Sequence, residues 1–263
     1  MSDITFLGTG GGRYATIYQM RATGGIYIKD LGRLHLDPGP SALYGMKALS
    51  IDPALTDCIL VSHCHPDHYA DAEMLVEGMT RGGYRRNGKL ISTCSVLRGN
   101  DKFSQAISNY HQSLPEEVIS VIPGDKLNAS GMTIKVTPTI HSDPDGVGFR
   151  FETRSGSISY VSDSEFDESL VHSHRDARVL IINLTCSTQT KIPRHMHTED
   201  AARLIADIDP EVAVLTHFGV GVLEEGVEKQ VRIIENESKV HTIAANDFMT
   251  ISVDEDITLQ RAE

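Results

Sequence analysis

Apolar residues along this chain gather in short runs of about four to seven, most of them bounded by glycine, proline or charge. Such runs read as buried or half-buried strands rather than long helices. The pattern predicts strands over 4–8, 25–28, 33–37, 58–62, 90–94, 132–138, 148–153, 157–162, 179–184, 212–216 and 248–253. Helical spacing is confined to 69–79, 102–110, 198–208 and 227–237. Thr198 has the chemistry of an N-cap, with Glu199 and Asp200 placed to meet the helix dipole. Strand meanders and strand–helix units alternate in both halves. That order conflicts with a purely parallel doubly wound sheet and suits an α/β sandwich with sheets inside and helices outside.

Composition narrows the classes. At 263 residues the chain can bury a substantial core, and it is read as one domain over residues 1–263. No run of ~18 uncharged apolar residues occurs, so no membrane span is expected. The opening MSDITFLGTGGG lacks a basic region and an apolar region of the secretory kind, which makes the cytoplasm the default location. Cys58, Cys64, Cys94 and Cys186 show no CxxC spacing and read as scattered reduced thiols. Alternation along an extended segment points Cys64 away from its neighbours His63 and His65. A formal net charge of −12 argues against broad binding of nucleic acid. One local exception is TRGGYRRNGK, with Arg81, Arg85, Arg86 and Lys89 in a loop.

The chemistry is concentrated at strand ends. LVSHCHPDHYAD sets His63, His65, Asp67 and His68 within one turn of chain, a density of imidazole that neither a core nor a solvated surface requires. Asp37 in LHLDPGP, His141 in TIHSDPDG, Asp163 in YVSDSEF and His217 in LTHFG also follow hydrophobic runs and precede a turn or helix. Singly, each has an ordinary explanation: a turn former, a helix cap or a hydrogen-bonded core histidine. Together they form a set of imidazoles and carboxylates of the kind that binds Zn²⁺ and related transition metals.

On these residues the chain resembles the metallo-β-lactamase fold superfamily. Its HxHxDH motif reads here as His63-Cys64-His65-Pro66-Asp67-His68, and His141, Asp163 and His217 match the later motifs in order. The likeness implies a four-layered αββα sandwich with two metals at the sheet edges. By position, His63, His65 and His141 would hold one metal and Asp67, His68 and His217 the other, with Asp163 bridging. Asp37 would orient a ligand histidine from behind. Two ions ~3.5–4 Å apart would lower the pKa of a shared water and clamp the attacked group. Asp67, Asp37 and His197 are thus the candidates for catalysis beside the ligand set.

Departures from relatives sharpen the expectation. His65 stands where the diiron oxidoreductases of the superfamily carry glutamate, which favours hydrolysis. Asp163 stands where the β-lactam-cleaving enzymes commonly have cysteine. FLGTGGG and HMHTEDAARL resemble segments of the ribonuclease Z-like phosphodiesterases, and by that likeness His197 would donate a proton to a leaving alkoxide. The segment from His141 to Asp163 is too short to hold the basic arm of the tRNA-processing enzymes. The expected activity is therefore hydrolysis of a small or short nucleotide phosphodiester rather than structured tRNA. The alternatives are a lactone or thioester hydrolase and a non-catalytic metal-binding module. Zn²⁺ fits best, with Mn²⁺ and Fe²⁺ also compatible. A homodimer is the default assembly.

Overall fold

Alternation within the strands separates three apolar clusters, and these define the layers in the computed structural model, which describes residues 1–260. In β4 (Cys58–Val61), Cys58 and Leu60 face a central core, while Ile59 and Val61 face an outer one. In β11 (Val179–Asn183), Val179 and Ile181 join that central core and Leu180 and Ile182 a second outer one. Both strands are buried on two faces, so they read as continuous hydrophobic runs. Each fully buried aliphatic or aromatic side chain contributes roughly 1.5–3 kcal/mol relative to exposure.

The central core lies between two sheets. The first runs β15-β14-β1-β2-β3-β4-β5-β6 and the second β13-β12-β11-β10-β9-β8-β7. The first contains β1 (Ser2–Phe6), β2 (Ile26–Lys29), β3 (Arg33–Leu36), β4, β5 (Lys89–Ser92), β6 (Glu117–Ser120), β14 (Thr250–Val253) and β15 (Ile257–Gln260). The second contains β7 (Lys126–Ala129), β8 (Met132–Pro138), β9 (Val147–Thr153), β10 (Gly156–Val161), β11, β12 (Val212–Thr216) and β13 (Thr242–Ala244). Each sheet is part antiparallel and part parallel, with the change at β3 in one and β10 in the other. Helices Ala42–Ala48 and Ala72–Met79 cover the first sheet; Glu168–His174, Thr198–Ile208 and Val227–Ser238 cover the second. This is the expected αββα sandwich. No described helix is long and apolar enough to cross a membrane.

Three local readings are corrected. Residues 102–108 form no helix. The Asn100 side chain accepts the N–H groups of Lys102 and Phe103, and such local bonds compete with a helical turn. The run 69–79 is divided: one turn, Pro66–Tyr69, precedes the helix Ala72–Met79. His197, not Thr198, is the N-cap, because the Thr198 hydroxyl donates to Gln230 Oε1 at 2.7 Å instead of closing its own helix.

Candidate metal centre

The ligand-type residues meet where the ends of strands from both sheets face one another. Extended backbone past β4 sets the His63 and His65 rings on one side and sends Cys64 into the outer apolar cluster. Pro66, with its fixed φ, then starts a helical turn at N1. That turn carries Asp67 and His68 back over the strand end. From the second sheet come His141 after β8, Asp163 after β10 and His217 after β12. Asp37 and His217 both hold left-handed backbone, at φ 52° and 56°. Non-glycine residues seldom adopt it, and such strain gathers at functional sites.

The glycine run near the N-terminus gains its explanation here. A Cβ on Gly11 would lie 2.1 Å from Cγ of His217, so only glycine lets the chain pass against that ring. Gly12 N–H donates to Asp67 Oδ2 at 3.0 Å. Asp247 anchors the loop by accepting from the backbone and hydroxyl of Thr9 and from Ala22 N–H.

Two triads emerge. In the first, His63 Nε2 and His141 Nε2 lie 2.9 and 3.1 Å from His65 Nδ1. The far nitrogens of His63 and His141 bond the Ser62 hydroxyl and the Arg194 carbonyl. In the second, His68 Nε2 and His217 Nε2 lie 3.0 Å apart, with Asp67 Oδ2 at 3.9 and 3.4 Å. His68 Nδ1 donates to Asp37 Oδ2 at 2.9 Å. Asp163 adjoins both, since it can share a ligand group with His63 and His68 or with His141. Its Oδ1 lies 3.4 Å from His217 Nδ1 and its Oδ2 3.7 Å from His68 Nε2. The outer nitrogens of His63, His141 and His68 are bonded away from the centre, so imidazole nitrogens and carboxylate oxygens converge on one another across it. Such a donor set is what a divalent cation draws together, so the residues fit divalent metal ions.

Burial pushes His63 well down, and repulsion from the neighbouring imidazoles, His68 first, adds to it. The same two causes bring His65 to about 4. For His68, burial acts in the same downward direction, yet Asp37 and Asp67 outweigh it and hold the ring well above its ordinary value. Burial would raise Asp163; His217 and His68 overcome that and keep its carboxyl well below the usual range.

All seven sequence-predicted ligands therefore come together, with Asp37 behind His68. His197 does not join them. Its Nδ1 lies 3.3 Å from Asp200, and its ring lines a neighbouring cavity with Glu165, Phe166 and Lys191. His195 stands closer: its Nε2 is 3.8 Å from Asp163 Oδ2 and its ring 4.8 Å from that of His141. The reason lies one residue earlier, where the Arg194 carbonyl and guanidinium both bond His141, bolting this segment to the centre. Sequence reasoning also missed Asp143, which accepts Cys64 N–H and the Ser95 hydroxyl and so fixes the His63–His65 turn. The basic loop 81–89 leads into the start of β5, next to Cys58. It therefore lies at the opposite end of the sheet from the ligands.

The sequence profile described as "Beta-lactamase superfamily domain" matches residues 32–218. The chain belongs to this superfamily. It is an enzyme of the metal-dependent hydrolase kind, with ribonuclease Z-like neighbours in fold. A relative, uncharacterized protein MJ1374 of Methanocaldococcus jannaschii, is 41% identical over 232 residues, covering 87% of each chain. The fold resembles a diphosphatase from the PhnP family, with a TM-score of 0.68 at 16% identity over 97% of this chain and 98% of that one. It also resembles the short form of human tRNase Z, with a TM-score of 0.68 at 16% identity over 95% and 99%.

Proposed function

We propose that this superfamily member is a two-metal phosphodiesterase acting on small or nucleotide phosphodiesters. The observation that carries the reading is the pair of triads with one carboxylate, Asp163, between them. His63, His65 and His141 would hold one ion and Asp67, His68 and His217 the other, with Zn²⁺ the best match to this donor set. Bound there, the ions would supply a water of lowered pKa and positive charge against the attacked group.

The chain's own residues supply the rest. Asp37 fixes the ring and tautomer of His68, as carboxylates behind metal-binding histidines do. Gly12 N–H holds Asp67 in place. His195, at the edge of the centre and partly open to solvent, is the group placed to give a proton to a departing alkoxide. This role moves from His197 to His195 on geometry alone. A proton donor matters most for alkoxide leaving groups, which favours phosphodiesters over activated acyl substrates. Two of the solved neighbours are a diphosphatase and a tRNase, and that phosphate chemistry supports the reading. The remote basic loop and the net charge of −12 favour a small substrate over folded RNA.

Metal analysis combined with a substrate panel tests this. The protein reconstituted with Zn²⁺, Mn²⁺ or Fe²⁺ is expected to hold two ions and to cleave bis(p-nitrophenyl) phosphate faster than a lactone or thioester. At most one ion per chain, or turnover confined to the acyl substrates, would sink the proposal.

A further inference from the structure

Asp163 is the only side chain proposed to serve both ions, so the direction in which its two oxygens point governs the whole centre. That direction is set from below by a residue outside every ligand motif. Asn183, the last residue of β11 and 1% exposed, donates through Nδ2 to Asp163 Oδ1 at 2.8 Å and to the Tyr160 hydroxyl oxygen at 3.0 Å. Tyr160 in turn donates to Asp37 Oδ2 at 2.8 Å. The amide carries two hydrogens and each has an acceptor, so its orientation is fixed: reversed, its oxygen would face a carboxylate. Its own Oδ1 is buried and finds no protein partner.

We infer that Asn183 is a positioning residue for the metal centre. It ties Oδ1 of Asp163 back toward the sheet and leaves Oδ2 directed at His68 and His195. Through Tyr160, the same amide keys the carboxylate between the ions to Asp37, the carboxylate that holds His68. The two acidic groups are thereby set in one frame by a hydrogen-bonded chain running Asp163–Asn183–Tyr160–Asp37. A leucine at 183 would keep the branched shape but would leave the Asp163 carboxylate without its donor and free to rotate. The inference rests on the two-metal reading of the site.

The test uses Asn183→Leu, which keeps the branching and number of side-chain heavy atoms and removes both donors, and Tyr160→Phe, which removes one hydroxyl and leaves the Asn183–Asp163 bond. Metal-stripped parent and variants are titrated with Co²⁺ against a chelator, and the visible spectrum is recorded at saturation. Asn183→Leu is expected to weaken ion uptake by roughly 10–100-fold, the usual effect of losing an outer partner. Its saturated Co²⁺ spectrum should also differ from that of the parent, because the carboxylate meets the ion in another way. Tyr160→Phe should move both readouts in the same direction by less, with the metal-free protein still melting cooperatively.

Parental affinity and spectrum in both variants would overturn the role. So would weaker uptake with an unchanged saturated spectrum, which is the signature of a merely structural defect. If the parent itself takes only one ion, the two-metal reading fails separately, and the spectrum of that ion in Asn183→Leu still decides whether Asn183 orients Asp163.

Discussion

The two triads are close neighbours, yet their surroundings are opposite. The His63, His65 and His141 rings are backed by uncharged oxygens: the Ser62 and Ser142 hydroxyls and the Arg194 carbonyl. All three imidazoles are pushed down, first by burial and then by one another or by positive neighbours. His68, equally buried, is pushed up because Asp37, Asp67 and Asp163 surround it. Burial alone therefore does not decide the state of an imidazole; the carboxylates within reach do. One triad is a neutral nitrogen cup, and the other a site in which negative charge is built in before any cation arrives.

The largest expected effect comes from the residue the triads share. Asp163→Ala should lose both ions and fall to background turnover, read by metal content alongside activity. Retention of two ions in a slightly less stable variant would mean that the triads do not depend on a common carboxylate.

Next comes His195→Ala. Cleavage of alkyl phosphodiesters should drop by ~10²–10⁴-fold, the usual worth of general acid catalysis. Nitrophenyl esters should fall much less, with metal content unchanged. His197→Ala, whose ring sits on Asp200, should leave both rates near parental. A reversed pattern would return the proton donor to His197, and lost metal would make His195 a ligand.

Asp37→Asn should sharpen the contrast between the triads. It removes the charge behind His68, so binding of one ion should weaken by roughly 10–100-fold while the imidazole-only triad is affected less. Equal weakening of both ions in a stepwise titration would show that Asp37 acts on the centre as a whole, by way of Ser62.

The smallest effect on the metal centre itself is expected from His174, an imidazole buried outside the centre with no carboxylate beside it. Burial and, secondarily, Arg150 bring it to about 3. The unfolded chain, with an ordinary value of 6.5, binds a proton that the folded chain refuses between those pH values. Stability from this group is therefore full above pH ~6.5 and is lost as pH falls toward ~3. In urea melts of metal-stripped protein, stability of the parent should rise across this window more steeply than that of His174→Leu, by up to about 1.4 kcal/mol per pH unit. Equal slopes would mean that the His174 ring is not held neutral.

What could be read from sequence follows the same division between enclosed and open parts. Strands in the sheet interiors announced themselves, as did the amphipathic helices read over 198–208 and 227–237, because their apolar residues are locked on two faces or on one stripe. The four strands that escaped notice, β6, β7, β13 and β15, are the four outermost ones. Each is short and partly exposed: Lys126–Ala129, for instance, alternates exposed positions with one half-buried and one buried, and Ile257–Gln260 is mostly exposed. Edge strands owe their form to one neighbour and carry little hydrophobic signal. In the centre, the ligand-type residues and their order were legible, whereas the closer approach of His195 than of His197 to Asp163 was not. That approach depends on the Arg194–His141 contact, which no local spacing encodes. Asn183 and Tyr160 were invisible for a similar reason: each looks like an ordinary end-of-strand residue until the sheets meet.

The placement of the ligands on two sheets also has a temporal side. His68 and His217 touch although they lie 149 positions apart, and Gly11 packs against that same ring from near the start of the chain. Contacts of such high sequence separation form late, because their loop-closure entropy must be met before they return anything. A chain that has folded only its first sheet owns His63, His65, Asp67 and His68 but neither His141, Asp163 nor His217. With ions held as proposed, full metal capture would have to wait until the second sheet has docked. The ions would then act as a latch that favours the assembled chain over every partly folded one.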